Sequence, residues 1–118
     1  MASWNVRGFR CPKKIKSVLD TFRESKYIVL NLQETWHTKE SLQEVKAETT
    51  DWCHVIHSQS KENKQRGEGV ITLIKKENGV NAQPILAAIH TKYMVATLMH
   101  LKHGHKNLQK VIVINYYG

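Results

Sequence analysis

Apolar residues recur along this chain first with a helical period and later with a strand period. Ile15, Val18, Leu19 and Phe22 fall at helical spacing, with Lys13, Lys14, Lys16, Asp20 and Arg23 on the other faces. Pro12 suits the first turn of that helix. Ahead of it, Ala2 to Val6 is short and β-prone and stops at Arg7-Gly8, a natural exit from a strand. Tyr27 to Leu32 is apolar almost throughout, as a strand covered on both faces would be. Thr38 or Ser41 suits the cap of a second helix through about Glu48, with Leu42 and Val45 facing inward.

Beyond Trp52 the pattern is β. Strands are predicted at Trp52 to His57, Gly69 to Ile74, Ala82 to His90, Tyr93 to Leu101 and Val111 to Tyr117. Between the first two of these lies a polar loop, Ser58 to Glu68, carrying Lys61, Lys64 and Arg66. Glu77-Asn78-Gly79 and Lys102 to Asn107 read as turns. The order β, α, β, α and then strands on tight turns predicts an α/β layered domain. Its early strands can be parallel, and its later ones form an antiparallel meander.

Length changes this picture little: 118 residues give room for one domain, which can bury about two-thirds of its unfolded surface. With 41% hydrophobic and 24% charged residues the chain is no disordered or low-complexity sequence. No apolar run approaches the roughly eighteen residues of a membrane span, and Met1 to Arg10 holds no apolar leader. Cys11 and Cys53 are too few for a disulfide framework. The expectation is an intracellular protein, nuclear or cytoplasmic, without a membrane partner.

Charge adds more. Eighteen Lys and Arg face ten Asp and Glu, for a net charge of +8 and a pI near 9.6. Such a field attracts polyanions, although composition alone equally fits a solvated basic surface with no partner.

Three segments carry candidate chemistry: Ser3-Trp4-Asn5-Val6-Arg7-Gly8, Asn31-Leu32-Gln33-Glu34-Thr35 and Ile114-Asn115-Tyr116-Tyr117-Gly118. Each closes a predicted strand, and in α/β sheets polar residues past the carboxyl ends of strands converge on one crevice. Glu34 offers a hard oxygen ligand of the kind Mg²⁺ accepts, Asn5 can hold a ligand or water, and a tyrosine hydroxyl can reach a phosphate oxygen. Blander roles fit the same residues. Asn5 and Asn31 suit ordinary strand ends, and Glu34 suits the dipole of the following helix. Tyr116 and Tyr117 point to opposite faces of a strand, so one of them suits core packing. His100, His103 and His105 cluster near a turn but lack the pattern of a metal site. Trp4, Trp36 and Trp52 suit packing more often than base stacking; Trp36, directly after Gln-Glu-Thr, is the one placed for stacking.

Taken together, Asn5 to Gly8, Gln33 to Thr35, Gly69 to Ile74 and Asn115 to Gly118 resemble signature segments of the exonuclease–endonuclease–phosphatase superfamily. Within it they are most similar to the endonuclease domains of non-LTR retrotransposons and the abasic-site endonucleases. The resemblance implies the N-terminal half of a layered α/β sandwich, with a mixed, largely antiparallel sheet and flanking helices, in one partial domain over residues 1–118. It implies Mg²⁺ (or Mn²⁺) held by Glu34 with support from Asn5, a phosphate contact from Tyr117, and a nucleic-acid substrate, preferably DNA. Arg7, Lys64, Arg66 and Trp36 are the candidate nucleic-acid contacts, although the basic loop with Lys64 and Arg66 equally suits a solvated surface. The family's later Gly-Asp-Phe-Asn and Ser-Asp-His segments have no match here, and neither Asp20 nor Asp51 has the required neighbours. The chain alone is therefore expected to be inactive or nearly so.

An uncovered sheet face and edge in such a half-domain invite dimerisation or association with a missing C-terminal half. The other readings are a non-catalytic basic remnant that binds nucleic acid or dimerises, and a phosphodiesterase for a small phosphoester such as a phosphoinositide. The +8 charge disfavours the last.

Overall fold

The computed structural model describes residues 1–58, 69–77, 80–84, 94–102 and 108–116. Strand β1 (Ala2–Asn5) leads through a short loop into helix α1 (Pro12–Glu24), and the chain returns as β2 (Val29–Gln33). Helix α2 (Lys39–Thr49) follows, then β3 (Cys53–His57) and β4 (Val70–Lys75). Strands β5 (Val80–Pro84), β6 (Met94–Lys102) and β7 (Leu108–Tyr116) complete the order. The fold is α/β.

Local sequence explains both helices. Pro12 sits at the start of α1, where its missing N–H costs nothing, and Ile15, Val18, Leu19 and Phe22 all turn inward. Lys14, on the flank, reaches back to the Val6 carbonyl and ties the helix to the exit of β1. Of the two candidate caps for α2, Thr38 holds the position. Its hydroxyl accepts the Ser41 N–H at 3.2 Å, and the Ser41 hydroxyl accepts the Thr38 N–H at 2.8 Å.

The strands form two sheets. The first has the order β1-β2-β4-β3, with β1 and β2 parallel and β4 antiparallel to both β2 and β3. The second is the antiparallel meander β5-β6-β7. Alternation along β2 and β4 divides the interior. Leu30, Leu32, Ile71 and Leu73 face the helices and join Phe9, Ile15, Leu19, Phe22 and Val45 in one core. Val29 and Ile74 point the other way, onto Met99 and Val113 of the second sheet. Ile56 and Val70 pack with Val95 in a smaller cluster. This two-sided burial is why β2 and β4 read as continuous apolar runs.

The predicted elements hold with shifted ends. The strand expected from Tyr27 begins at Val29, and the one expected from Ala82 begins at Val80. The far end of that strand, residues 85–90, falls outside the described residues, as do most of the 58–68 and 102–107 loops. Tyr116 is 64% exposed on the outer face of β7, beside Ile112 and Ile114, so it is not a core residue. Trp52 is structural: it packs on Phe22, takes Arg23 over its ring at 5.2 Å, and donates Nε1–H to the Glu48 carbonyl at 2.9 Å.

One buried group between the sheets is unmet. Thr97 is fully buried on β6, and its hydroxyl has no hydrogen-bond partner among the described residues. Replacing it by an isosteric methyl removes a desolvation cost without opening a cavity. Thr97→Val is therefore expected to raise stability by about 1 kcal/mol, read as a higher urea midpoint at unchanged slope.

Candidate active site

The parallel pairing of β1 with β2 sets Asn5 opposite Gln33, so the two strands end side by side. Their exit loops stay paired beyond the sheet. Val6 N–H donates to the Gln33 carbonyl at 3.1 Å, Gly8 N–H to that of Glu34 at 2.7 Å, and Phe9 N–H to that of Thr35 at 2.8 Å. The third sequence segment arrives from the second sheet. Asn115, 1% exposed, donates its amide to the carbonyls of Ile71 at 2.9 Å and Leu32 at 3.2 Å, and its Oδ1 accepts from Gln33 Nε2 at 2.9 Å. The three segments singled out in the sequence thus meet around Gln33.

Backbone geometry is unusual at this spot. Among the described residues, the non-glycine positions with left-handed backbone are Arg7 (φ 48°), Glu34 (φ 52°) and Trp36 (φ 48°). A side chain at such φ costs energy, and strained positions cluster where geometry serves a function. Asn5 Oδ1 accepts the Arg7 N–H at 3.2 Å and helps hold the first of these turns. Trp36 lies over Gly8, where an added Cβ would approach its ring to 2.7 Å. Glu34 is half-buried and precedes the Thr38 cap, outside the first turn of α2, so the helix dipole does not account for it.

Beneath the loop runs a buried polar chain that sequence reasoning missed. Thr35 and His37 are both fully buried. His37 Nε2 lies 3.1 Å from the Ser58 carbonyl, and its Nδ1 lies 2.6 Å from the Thr35 hydroxyl. A carbonyl only accepts, so Nε2 carries the proton and Nδ1 takes the Thr35 hydroxyl proton. Burial is the main cause that pushes the His37 imidazole down to about 4, with His57 nearby adding to it, so the ring is neutral near pH 7. A lone histidine in a polar stretch gives no periodic signal, and only the fold shows its partners.

Tyr117, Lys64 and Arg66, predicted for phosphate and nucleic-acid contacts, lie outside the described residues, as do His103 and His105. Among the described residues no group of three His, Cys, Asp or Glu is placed to hold a metal ion. Glu34 and Asn5 supply oxygen donors at adjacent strand ends. That set suits only an ion that keeps most of its waters, which is the habit of Mg²⁺. An open apolar groove of about 450 Å³ lies at the start of β2 instead, lined by Met1, Ile28, Val29 and residues of β6 and β7, and includes neither donor.

The overall arrangement has a solved counterpart. The chain is similar to the Xenopus laevis APE2 catalytic domain, with a TM-score of 0.65 and 21% identity. The likeness is one of fold. It covers 98% of this chain and 43% of that one, so the chain spans less than half the length of that catalytic domain. No protein-family model and no curated protein matches the sequence. Among the described residues no helix is long and apolar enough to cross a membrane.

Proposed function

We propose that residues 1–118 are part of a divalent-metal-dependent phosphodiesterase domain acting on nucleic acid, of the retroelement endonuclease type. The observation that carries this reading is the concentration of left-handed backbone at Arg7, Glu34 and Trp36, where two parallel strands end with Asn5 opposite Gln33, the residue before Glu34. Fold similarity to a catalytic domain supports it, as does the net charge of +8.

In this reading Glu34 binds the ion directly and Asn5 orients a ligand or water beside it. Bound Mg²⁺ or Mn²⁺ supplies charge stabilisation at a phosphoryl oxygen and lowers the pKa of a bound water. Arg7, whose N–H donates to Asn5 Oδ1, meets the phosphate backbone together with Lys64 and Arg66. Trp36 is the residue proposed to stack on a base, and Tyr117 completes the phosphate contact. The rest of the machinery belongs to the part of such a domain that this chain does not span, and the chain alone nicks DNA weakly or not at all.

Mn²⁺ titration followed by electron paramagnetic resonance tests the central role. Glu34→Ala is expected to weaken Mn²⁺ binding at least tenfold while the fold persists; unchanged affinity would overturn the assignment. Plasmid nicking run alongside, with Mg²⁺ or EDTA, addresses completeness. Metal-dependent nicking that vanishes in Glu34→Ala would mean a complete site assembles from this chain. Salt-sensitive DNA binding that ignores both metal and Glu34 would favour the non-catalytic, nucleic-acid-binding reading.

A further inference from the structure

The loop after β2 alternates in direction. Glu34 and Trp36 adopt left-handed backbone, while Thr35 and His37 between and after them are fully buried. Left-handed φ at two non-glycine residues persists only where the surroundings over-determine it. The inward side chains supply that constraint.

Thr35 and His37 are joined at 2.6 Å, and His37 reaches the Ser58 carbonyl at 3.1 Å. Ser58 is itself fixed to β4: its N–H donates to the Val70 carbonyl at 3.0 Å, and its hydroxyl accepts the Val70 N–H at 3.1 Å. Thr35 N–H closes the ring onto the Gly69 carbonyl at 3.1 Å. The β2 exit is thereby held to the β4 entry by a backbone bond and to the β3 exit through the His37 imidazole. None of these groups faces the solvent side where Glu34 is half-exposed.

We infer that His37 is a positioning residue, acting through Thr35 to fix the backbone direction of Glu34. The inference rests on the reading of Glu34 as a metal ligand only for its consequence in binding; the positioning itself is a statement about the loop. Metal ligands commonly depend on such supporting contacts, whose removal costs roughly 10–100-fold in affinity.

The test uses Thr35→Val, which deletes the hydroxyl at nearly constant shape, with Thr35→Ser as the rescue. Two readouts are taken at pH 7. The first is hydrogen exchange of the Gly8 and Phe9 amides, which donate to the Glu34 and Thr35 carbonyls, compared with core amides such as Leu73. In Thr35→Val the Gly8 and Phe9 amides are expected to exchange at least tenfold faster than wild type, beyond any change at Leu73, and Thr35→Ser restores them. Unaltered exchange, or acceleration equal to that of the core, would overturn the inference as a merely structural role.

The second readout is Mn²⁺ affinity, expected to fall about tenfold in Thr35→Val and recover in Thr35→Ser. If local exchange accelerates while Mn²⁺ affinity ignores both Thr35→Val and Glu34→Ala, the positioning stands and the metal assignment fails. If Glu34→Ala alone abolishes binding and Thr35→Val leaves both readouts at wild type, the metal assignment stands and the positioning fails.

Discussion

Gly69→Ala is expected to destabilise the chain by about 3–5 kcal/mol, combining the cost of left-handed backbone in a residue with a Cβ and that of a broken buried hydrogen bond. Gly69 has φ 91°, a conformation that L side chains rarely adopt. An added Cβ would stand 2.5 Å from Thr35 Oγ1 and 2.9 Å from His37 Nδ1, the two atoms whose hydrogen bond holds the loop. Neither atom can yield cheaply. The Thr35 side chain is short and fully buried, and the ring is held at its other nitrogen by the Ser58 carbonyl. Urea unfolding followed by tryptophan fluorescence checks this: the midpoint should fall steeply at unchanged slope. A loss below about 1 kcal/mol would mean that the Gly69 turn relaxes freely.

Acid should weaken the fold before the carboxylates titrate. His37 is held near 4 in the folded chain against an ordinary 6.5, chiefly because burial disfavours the cation. Between these values the unfolded chain binds a proton that the folded chain refuses. Stability from this group is therefore complete above about pH 6.5, declines as pH falls, and is gone once pH passes the folded value. The full loss is about 3 kcal/mol, of which about 2 kcal/mol falls between pH 7 and 5. His54, also lowered by burial and by Lys76, works in the same direction. His37→Gln separates the two: glutamine can donate to Ser58 and accept from Thr35 but cannot titrate there. The difference in unfolding free energy between wild type and His37→Gln, read from urea curves, should change by about 2 kcal/mol over that range. A constant difference would mean the imidazole is protonated in place without penalty.

Both helices were legible because their signals are local. The inward positions of α1 and its proline at the first turn need no knowledge of the rest of the chain. So were β2 and β4, as runs too apolar to be covered on one face only. The pairing of β4 between β2 and β3 was not legible, since register between distant strands leaves no local trace.

At the site, Asn5 and Glu34 could be singled out as polar residues closing strands, and their adjacency follows from parallel pairing. Asn115 stood in a recognised segment, yet its use as a bridge between sheets depends on carbonyls contributed by Leu32 and Ile71. The left-handed backbone at Glu34 and Trp36 had no glycine to announce it. His37 was invisible for a related reason: its partners Thr35 and Ser58 matter only once the loops meet.

The strand order of the first sheet also dictates a sequence of events when the chain is made from its N-terminus. β1, α1 and β2 can associate as soon as they emerge, because β1 finds its parallel partner in β2. β3 emerges next with no neighbour to bond, since among the described residues its pairing is with β4. Until residues 70–75 arrive, the Cys53–His57 strand lacks its β4 ladder and β2 has one open side. A single six-residue strand then closes both gaps at once. The four-stranded sheet is thus assembled by the last of its strands to emerge, and a chain interrupted before Val70 holds a hydrophobic edge without its β4 partner.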